Sequence, residues 1–186
     1  MQRLTFLIPI LISSQYMGAA SVGREAPRIV HRLAIPFVAI RTTETMSSMS
    51  SVFPRLMPEL RRWAAKHHVS AAGPPFIRFV YVDMAKGLDI EIGFPVSKPA
   101  KGNDRVTAGF LAAGRYVSLT YFGNYAGLVP PNATLQAWAK KKHLRFKMTK
   151  GAKGEEFVSR VELYKTDPDK QPDPAKWETE ILYMIE

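Results

Sequence analysis

The 186 residues include no cysteine, which excludes a disulfide scaffold, a Cys-ligated zinc site and a cysteine nucleophile. An apolar content of 46% with 23% charged residues is that of a globular chain, long enough for one sizeable domain or two small modules sharing a core. The formal net charge of +10 points to an anionic or acidic partner only if the charge is concentrated on a surface that can use it.

Residues 1–22 differ from the rest. Leu4 to Ile12 is apolar, follows the single basic Arg3 and is interrupted by Pro9, and Gly18-Ala19-Ala20 supplies small residues. This is the outline of a short signal peptide, and export is the alternative it raises. The lone basic residue and early proline favour instead a non-structural extension on a cytoplasmic protein. The apolar run is too short to span a membrane, which needs about 20 residues.

From residue 23 onward the pattern is that of one domain built twice, with one unit at about 28–97 and the other at about 105–186. Phe37 to Thr42 alternates as a half-buried strand does, and so does Tyr116 to Tyr121. Helical periodicity follows each, at roughly 46–68 and 125–143, with Trp63 and Trp138 at matching places. Two strands then complete each unit: Phe76 to Val82 and Leu88 to Val96 in the first, Phe157 to Tyr164 and Thr179 to Ile185 in the second. Lys98 to Asp104, polar and rich in structure breakers, links the units. The expectation is an α+β fold: two strand-helix-strand-strand modules forming an antiparallel sheet, both helices on one side, and a ligand groove between the pseudo-twofold-related halves.

Alternation assigns Val38, Ile40, Ile90, Ile92, Val117, Leu119 and Ile181 to the helix side. It places Glu91, Arg160, Glu162 and Tyr164 on the opposite face, towards groove or solvent. Arg160, Glu162 and Tyr164, spaced by two within a strand, should project together. A carboxylate and a phenol on one face can hold a cation, with aromatic rings adding about 0.5–2 kcal/mol each. They can also act as general acid–base towards an electrophile. Tyr116, Tyr121, Tyr125 and Tyr164 are the candidate phenols, and Glu162 with Tyr164 the candidate catalytic pair.

Seven basic residues from Lys140 to Lys153 form a charge run, of which Lys140, Lys141 and Lys142 are the candidate contact for a protein partner. A solvated helix end explains the same lysines, since a helix C-terminus favours cations. The four histidines contain no His-x-x-x-His pair, so no metal and no other cofactor is expected.

Several segments in order resemble one family. They are Ile29-Val30-His31-Arg32 with Pro36 to Ile40, Pro54-Arg55-Leu56, Ala72-Gly73-Pro74-Pro75-Phe76, Leu88 to Val96, Tyr121 to Tyr125 and the end from Val161 to Ile181. Residues 27–186 resemble the GyrI-like small-molecule-binding domain, which includes gyrase-inhibitor-like proteins and the effector-binding domains of multidrug-responsive transcription activators. The resemblance implies a duplicated module with a ligand groove and a glutamate at its base, matched by Glu162. The implied function is a binding module for hydrophobic, often cationic, small molecules. A hydrolase of electrophiles using Glu162 and a tyrosine is the alternative, and a gyrase-inhibitor-like modulator a weaker one. The segment before residue 23 leaves no room for a DNA-binding domain, so direct DNA contact is not expected.

Since residues 1–22 carry no pattern able to join a sheet, their deletion should shift the melting temperature by no more than a few degrees, about 1 kcal/mol, in a thermal unfolding scan.

Overall fold

The computed structural model describes residues 24–152 and 154–186, so expectations for residues 1–22 fall outside the described residues. The strands are β1 (Arg28–Arg32), β2 (Ile35–Glu44), β3 (Phe76–Asp83), β4 (Gly87–Pro95), β5 (Thr107–Leu111), β6 (Gly114–Phe122), β7 (Met148–Gly151), β8 (Gly154–Phe157), β9 (Arg160–Tyr164) and β10 (Glu178–Met184). The helices are α1 (Met49–Lys66) and α2 (Val129–Lys141), the latter preceded by a 3₁₀ turn at Tyr125–Gly127.

One antiparallel sheet runs β1-β6-β10-β9-β3-β4-β2-β5, with the β7–β8 hairpin attached through β8 to β3. Leaving the β7–β8 hairpin aside, the stretch from β6 to β2 reads alike from either end: the strand before each helix is outermost, and the next strand of the path after it, β3 or β9, lies at the centre. This is the arrangement expected of two strand-helix-strand-strand units meeting about a pseudo-twofold. The strands that precede each unit cross over, β1 pairing with β6 and β5 with β2. The sequence reading missed β1, β5 and the β7–β8 hairpin. It also ran Phe157 to Tyr164 as one strand, where β8 and β9 are separated at Val158 and Ser159.

Both helices pack on the same sheet face. Val52, Leu56, Leu60 and Ala64 form a stripe of i, i+4 spacing on α1, and Leu135 and Ala139 face inward from α2. They meet Val38, Ile40, Ile77, Ile90, Ile92, Val117, Leu119 and Ile181 in one buried cluster. Pro54 and Pro58 interrupt the α1 hydrogen-bond ladder but lie on its exposed side. α1 lies over β2 and β4, and α2 over β6, leaving the central β3–β9 pair between them.

A second buried cluster, Phe37, Ala39, Phe76, Leu111, Tyr116, Val161, Leu182 and Met184, occupies the other sheet face. Each strand therefore has apolar residues on both sides, and alternation alone does not tell which side meets the helices. The seven apolar residues assigned to the helix side lie there, and Glu91 lies on the far face, paired with Arg78. Arg160, Glu162 and Tyr164 are the correction. They share one face as expected, but it is the helix face: Glu162 is opposite both Ile181 and Ile77 in the ladder, and Tyr164 is opposite Thr179. Val161 and Leu163, the apolar residues between them, point to the second cluster.

The two helices end alike. Val69 N–H bonds Ala64 O and Leu144 N–H bonds Ala139 O, closing each helix over a residue with positive φ. Those residues are His68 and His143, both at φ 55° and both exposed. Glycine is the usual occupant, because a Cβ there costs about 1–2 kcal/mol. His143→Gly should raise the unfolding free energy by about 0.5–1 kcal/mol in a denaturant titration, after part of that gain is lost to the greater freedom of the unfolded glycine.

Candidate functional site

Glu162 lies on β9 at the seam between the two halves, between α1 and α2, and is 5% exposed. Two neutral donors hold its carboxylate. Asn132 Nδ2, from α2, bonds Oε1 at 2.8 Å, and the Tyr164 hydroxyl bonds Oε2 at 2.8 Å. Asn132 is in turn fixed by its surroundings: its amide N–H also reaches Leu128 O, and its Oδ1 accepts from the Tyr183 hydroxyl at 2.8 Å. Gln136 Nε2 donates to the Tyr183 oxygen at 2.9 Å. Every donor in the sequence Gln136, Tyr183, Asn132, Glu162 points towards the carboxylate, an alignment in which each bond polarises the next.

The walls are aromatic. Phe53 from α1 and Tyr125 from the turn before α2 both meet the Tyr164 ring edge-on, at 4.8 Å and 4.9 Å between centroids, and Trp177 lies against Tyr125 at 4.7 Å. Burial, the Glu162 charge and the hydrogen bond to it push the Tyr164 phenol well above its ordinary value. Burial, with Asp167 adding to it, pushes Tyr125 up to about 12. Burial also raises Tyr183, and only part of that rise is offset by Arg160. These phenols are uncharged donors at any pH near neutrality.

Among the described residues four glutamates are buried: Glu44, Glu91, Glu162 and Glu180. Three have a cationic partner. Arg55 pairs with Glu44, Arg78 with Glu91, and Arg32 and Lys165 with Glu180. Glu162 has no ion pair among the described residues. Arg160, two positions away on the same face, does not pair with it. Its guanidinium instead lies over the rings of Phe79, Tyr183 and Phe157, at 4.4, 4.9 and 5.4 Å from their centroids.

The tyrosines named from sequence separate. Tyr164 bonds the carboxylate, while Tyr125 packs against the Tyr164 ring and donates its hydroxyl to Thr166 O. Tyr121 is on the helix face, but its hydroxyl bonds Asn124 O at the edge of the sheet. Tyr116 is on the far face, its hydroxyl donated to Ala112 O. Asn132, Tyr183, Gln136 and Phe53 were missed. The signal for Asn132 was present: it lies on the stripe of α2 that carries Leu128, Leu135 and Ala139, where a polar side chain must find a buried partner. Lys140, Lys141 and Lys142 form the exposed end of α2. Among the described residues no group of three or more His, Asp or Glu could hold a metal ion, and no helix is long and apolar enough to cross a membrane.

A cavity of about 170 Å³ lies on the far face, lined among others by Tyr116, Ser159, Val161 and Leu182. It does not reach Glu162, which is enclosed by its own donors and by the aromatic walls. Glu162 stands out by having no ion pair among the described residues rather than by open volume beside it.

Tyr164→Phe leaves that buried carboxylate one donor short and should lower the unfolding free energy by about 1–3 kcal/mol. Tyr183→Phe removes a neutral bond and should cost about 0.5–1.5 kcal/mol, so chemical denaturation of the two variants should rank them in that order.

The sequence matches the family described as the GyrI-like small molecule binding domain over residues 25–186. No curated protein matches it. Among solved structures, the C-terminal domain of EcmrR is similar at a TM-score of 0.66 and 18% identity, over 87% of this chain and 97% of that one. EcmrR in its complex with DNA gives 0.69 and 16% over 88% of this chain, which spans 57% of that longer chain. SAV2435, solved bound to tetraphenylphosphonium, gives 0.57 and 13% over 87% and 94% of the two chains. At such identities the likeness is one of fold. The family match, covering all but the N-terminal segment, goes further: this chain belongs to the GyrI-like family, as a small-molecule-binding domain.

Proposed function

We propose that the domain captures hydrophobic cations, with Glu162 as the counter-charge between α1 and α2. The observation that carries this reading is the charge pattern of the buried glutamates. Three are neutralised by arginine or lysine, while Glu162 has only the neutral donors Asn132 and Tyr164. Keeping an unpaired anion in a low-dielectric site is costly, and a cation entering the site recovers that cost. The rings of Phe53, Tyr125 and Tyr164 offer faces and edges to an aromatic cation. That SAV2435, of the same fold, was solved with tetraphenylphosphonium supports the class of ligand. The same chemistry would serve sequestration of such compounds or their sensing.

The Glu162–Tyr164 hydrogen bond supports a second reading, a hydrolase of electrophiles in which this pair moves the proton. The protein-partner reading for Lys140, Lys141 and Lys142 has no support beyond their charge, which the end of α2 already explains.

Glu162→Gln keeps the shape and removes the charge. Calorimetric titration with tetraphenylphosphonium should show binding weakened by about 1.5–3 kcal/mol, the size of a charge-assisted contact, with neutral triphenylphosphine oxide unaffected. If the pair is catalytic, the same variant should lower turnover of a reactive ester about a hundredfold with little loss of binding. Equal affinities for both phosphorus compounds in parent and variant, with no turnover by the parent, would remove Glu162 from the site.

A further inference from the structure

The floor between α1 and α2 carries two charges. Along β9 the helix face presents Arg160, then Glu162, then Tyr164. Two residues of a strand span about 6.6 Å, so the arginine and the glutamate are near enough to have paired. They do not. The Arg160 guanidinium lies over Phe79 of β3, Tyr183 of β10 and Phe157 of β8, at 4.4, 4.9 and 5.4 Å from their centroids. Rings from three strands hold it there, and a ring attracts a cation through its quadrupole without cancelling the charge.

No carboxylate cancels it either. Arg32, Arg41 and Arg78, also on strands, bond Glu180, Asp89 and Glu91. Arg160 has no ion pair among the described residues. Glu155 of β8, whose charge acts on Tyr183, lies 3.8 Å from Lys150 Nζ instead. Arg160 is half-buried: its Nε is enclosed, whereas Nη1 and Nη2 keep contact with solvent and make no hydrogen bond among the described residues.

The floor therefore holds one negative and one positive group side by side. Neutral donors keep the glutamate and aromatic rings keep the arginine, and neither group cancels the other. A ligand with a single positive charge satisfies only Glu162 and is repelled by the arginine beyond it. A ligand that also carries a carboxylate meets both. The guanidinium suits that group, because its parallel N–H donors match the two carboxylate oxygens. The surroundings suit an aromatic body, with Phe53, Tyr125 and Tyr164 at the glutamate end and Phe79, Phe157 and Tyr183 at the arginine end.

We propose that the site takes zwitterions: an aromatic body with a cationic group for Glu162 and, about one benzene ring away, a carboxylate for Arg160. This rests on the reading of Glu162 as a counter-charge and narrows its class of ligand. Tetraphenylphosphonium, which has no anionic group, uses only the Glu162 half.

4-(Trimethylammonio)benzoate and its methyl ester share a ring and a cation, and only the first carries a carboxylate. Each would be titrated calorimetrically into the full chain, beside tetraphenylphosphonium. The parent should bind the zwitterion about ten- to a hundredfold more tightly than the ester, the effect of one charge-assisted contact. Arg160→Met leaves an unbranched apolar side chain over the rings and removes the charge. It should abolish the preference, while the ester binds at least as tightly as it does to the parent. Arg160→Lys keeps the charge without the fork, and its preference should fall between the two. Glu162→Gln should weaken both probes alike. Near-UV circular dichroism checks the fold of each variant, and the comparison of zwitterion with ester in the parent needs no variant at all. The proposal is overturned if the parent binds the ester as tightly as the zwitterion, if it binds neither, or if Arg160→Met with the parent's spectrum retains the preference. Tetraphenylphosphonium separates this inference from the reading beneath it. If Glu162→Gln weakens tetraphenylphosphonium but the zwitterion has no advantage in the parent, cation capture stands and the zwitterion class falls. If Glu162→Gln leaves tetraphenylphosphonium binding unchanged, the counter-charge reading falls and the zwitterion class with it.

Discussion

Three residue pairs, Phe76 with Leu163, Ile77 with Glu162 and Arg78 with Val161, join the two halves of the sheet through β3 and β9. The rest of the structure depends on this seam. It sets the two helices apart, since each covers the outer strands of its own half, and leaves the central strands as the floor between them. Its register also decides which side chains that floor carries. A slip of one residue would turn Glu162 to the far face and bring Val161 under the helices, because side chains alternate with a period of two. The same register places Ile77 and Ile181 on either side of Glu162, so the carboxylate is flanked by aliphatic side chains along the sheet and must find its donors above it. α2 supplies one through Asn132, and Tyr164, the next residue on the same face, supplies the other.

The chain treats its buried charges in two ways. Glu44, Glu91 and Glu180 meet arginines or lysine and are neutralised where they stand. Such pairs contribute little net stability, since the cost of desolvating both ions offsets much of their attraction, but they leave no field for a ligand to use. Glu162 is held by neutral groups, which satisfy its hydrogen-bonding capacity without cancelling its charge. Arg160, which could have neutralised it, is instead taken up by the rings of Phe79, Phe157 and Tyr183. The cation site proposed above would use this separation, because a carboxylate held by neutral donors is stable in the protein yet still gains from a positive ligand.

Both faces of the sheet are buried, and this accounts for where sequence reading succeeded and failed. In β2, β4 and β6 one set of alternate residues is more bulky and aliphatic, and the face assignment of Val38, Ile40, Ile90, Ile92, Val117 and Leu119 followed from it. In β9 the two sets are Arg160, Glu162, Tyr164 and Val161, Leu163. Placing the apolar pair under the helices was the natural inference, and it was inverted, because a second cluster on the far face takes Val161 while α2 brings an amide to meet the glutamate. The short strands β1 and β5 were missed for a related reason. Neither carries a strong alternation of its own, and each is held by pairing with the strand of the opposite half, a contact distant in sequence.

What the sequence by itself determined was local and periodic: two strand-helix-strand-strand units, the linker between them, the matched places of Trp63 and Trp138, and the common face of Arg160, Glu162 and Tyr164. These follow from backbone periods of 3.6 and 2 and from turn chemistry, which act over a few residues. The family resemblance already singled out Glu162. The tertiary structure decided that Glu162 faces the helices, that Asn132 and Tyr183 complete its network, that Arg160 is stacked away from it, and that Tyr116 belongs to the opposite face. Each of these depends on which distant element packs where, and hydrogen bonds such as Asn132 to Glu162 or Gln136 to Tyr183 join residues that no local period relates.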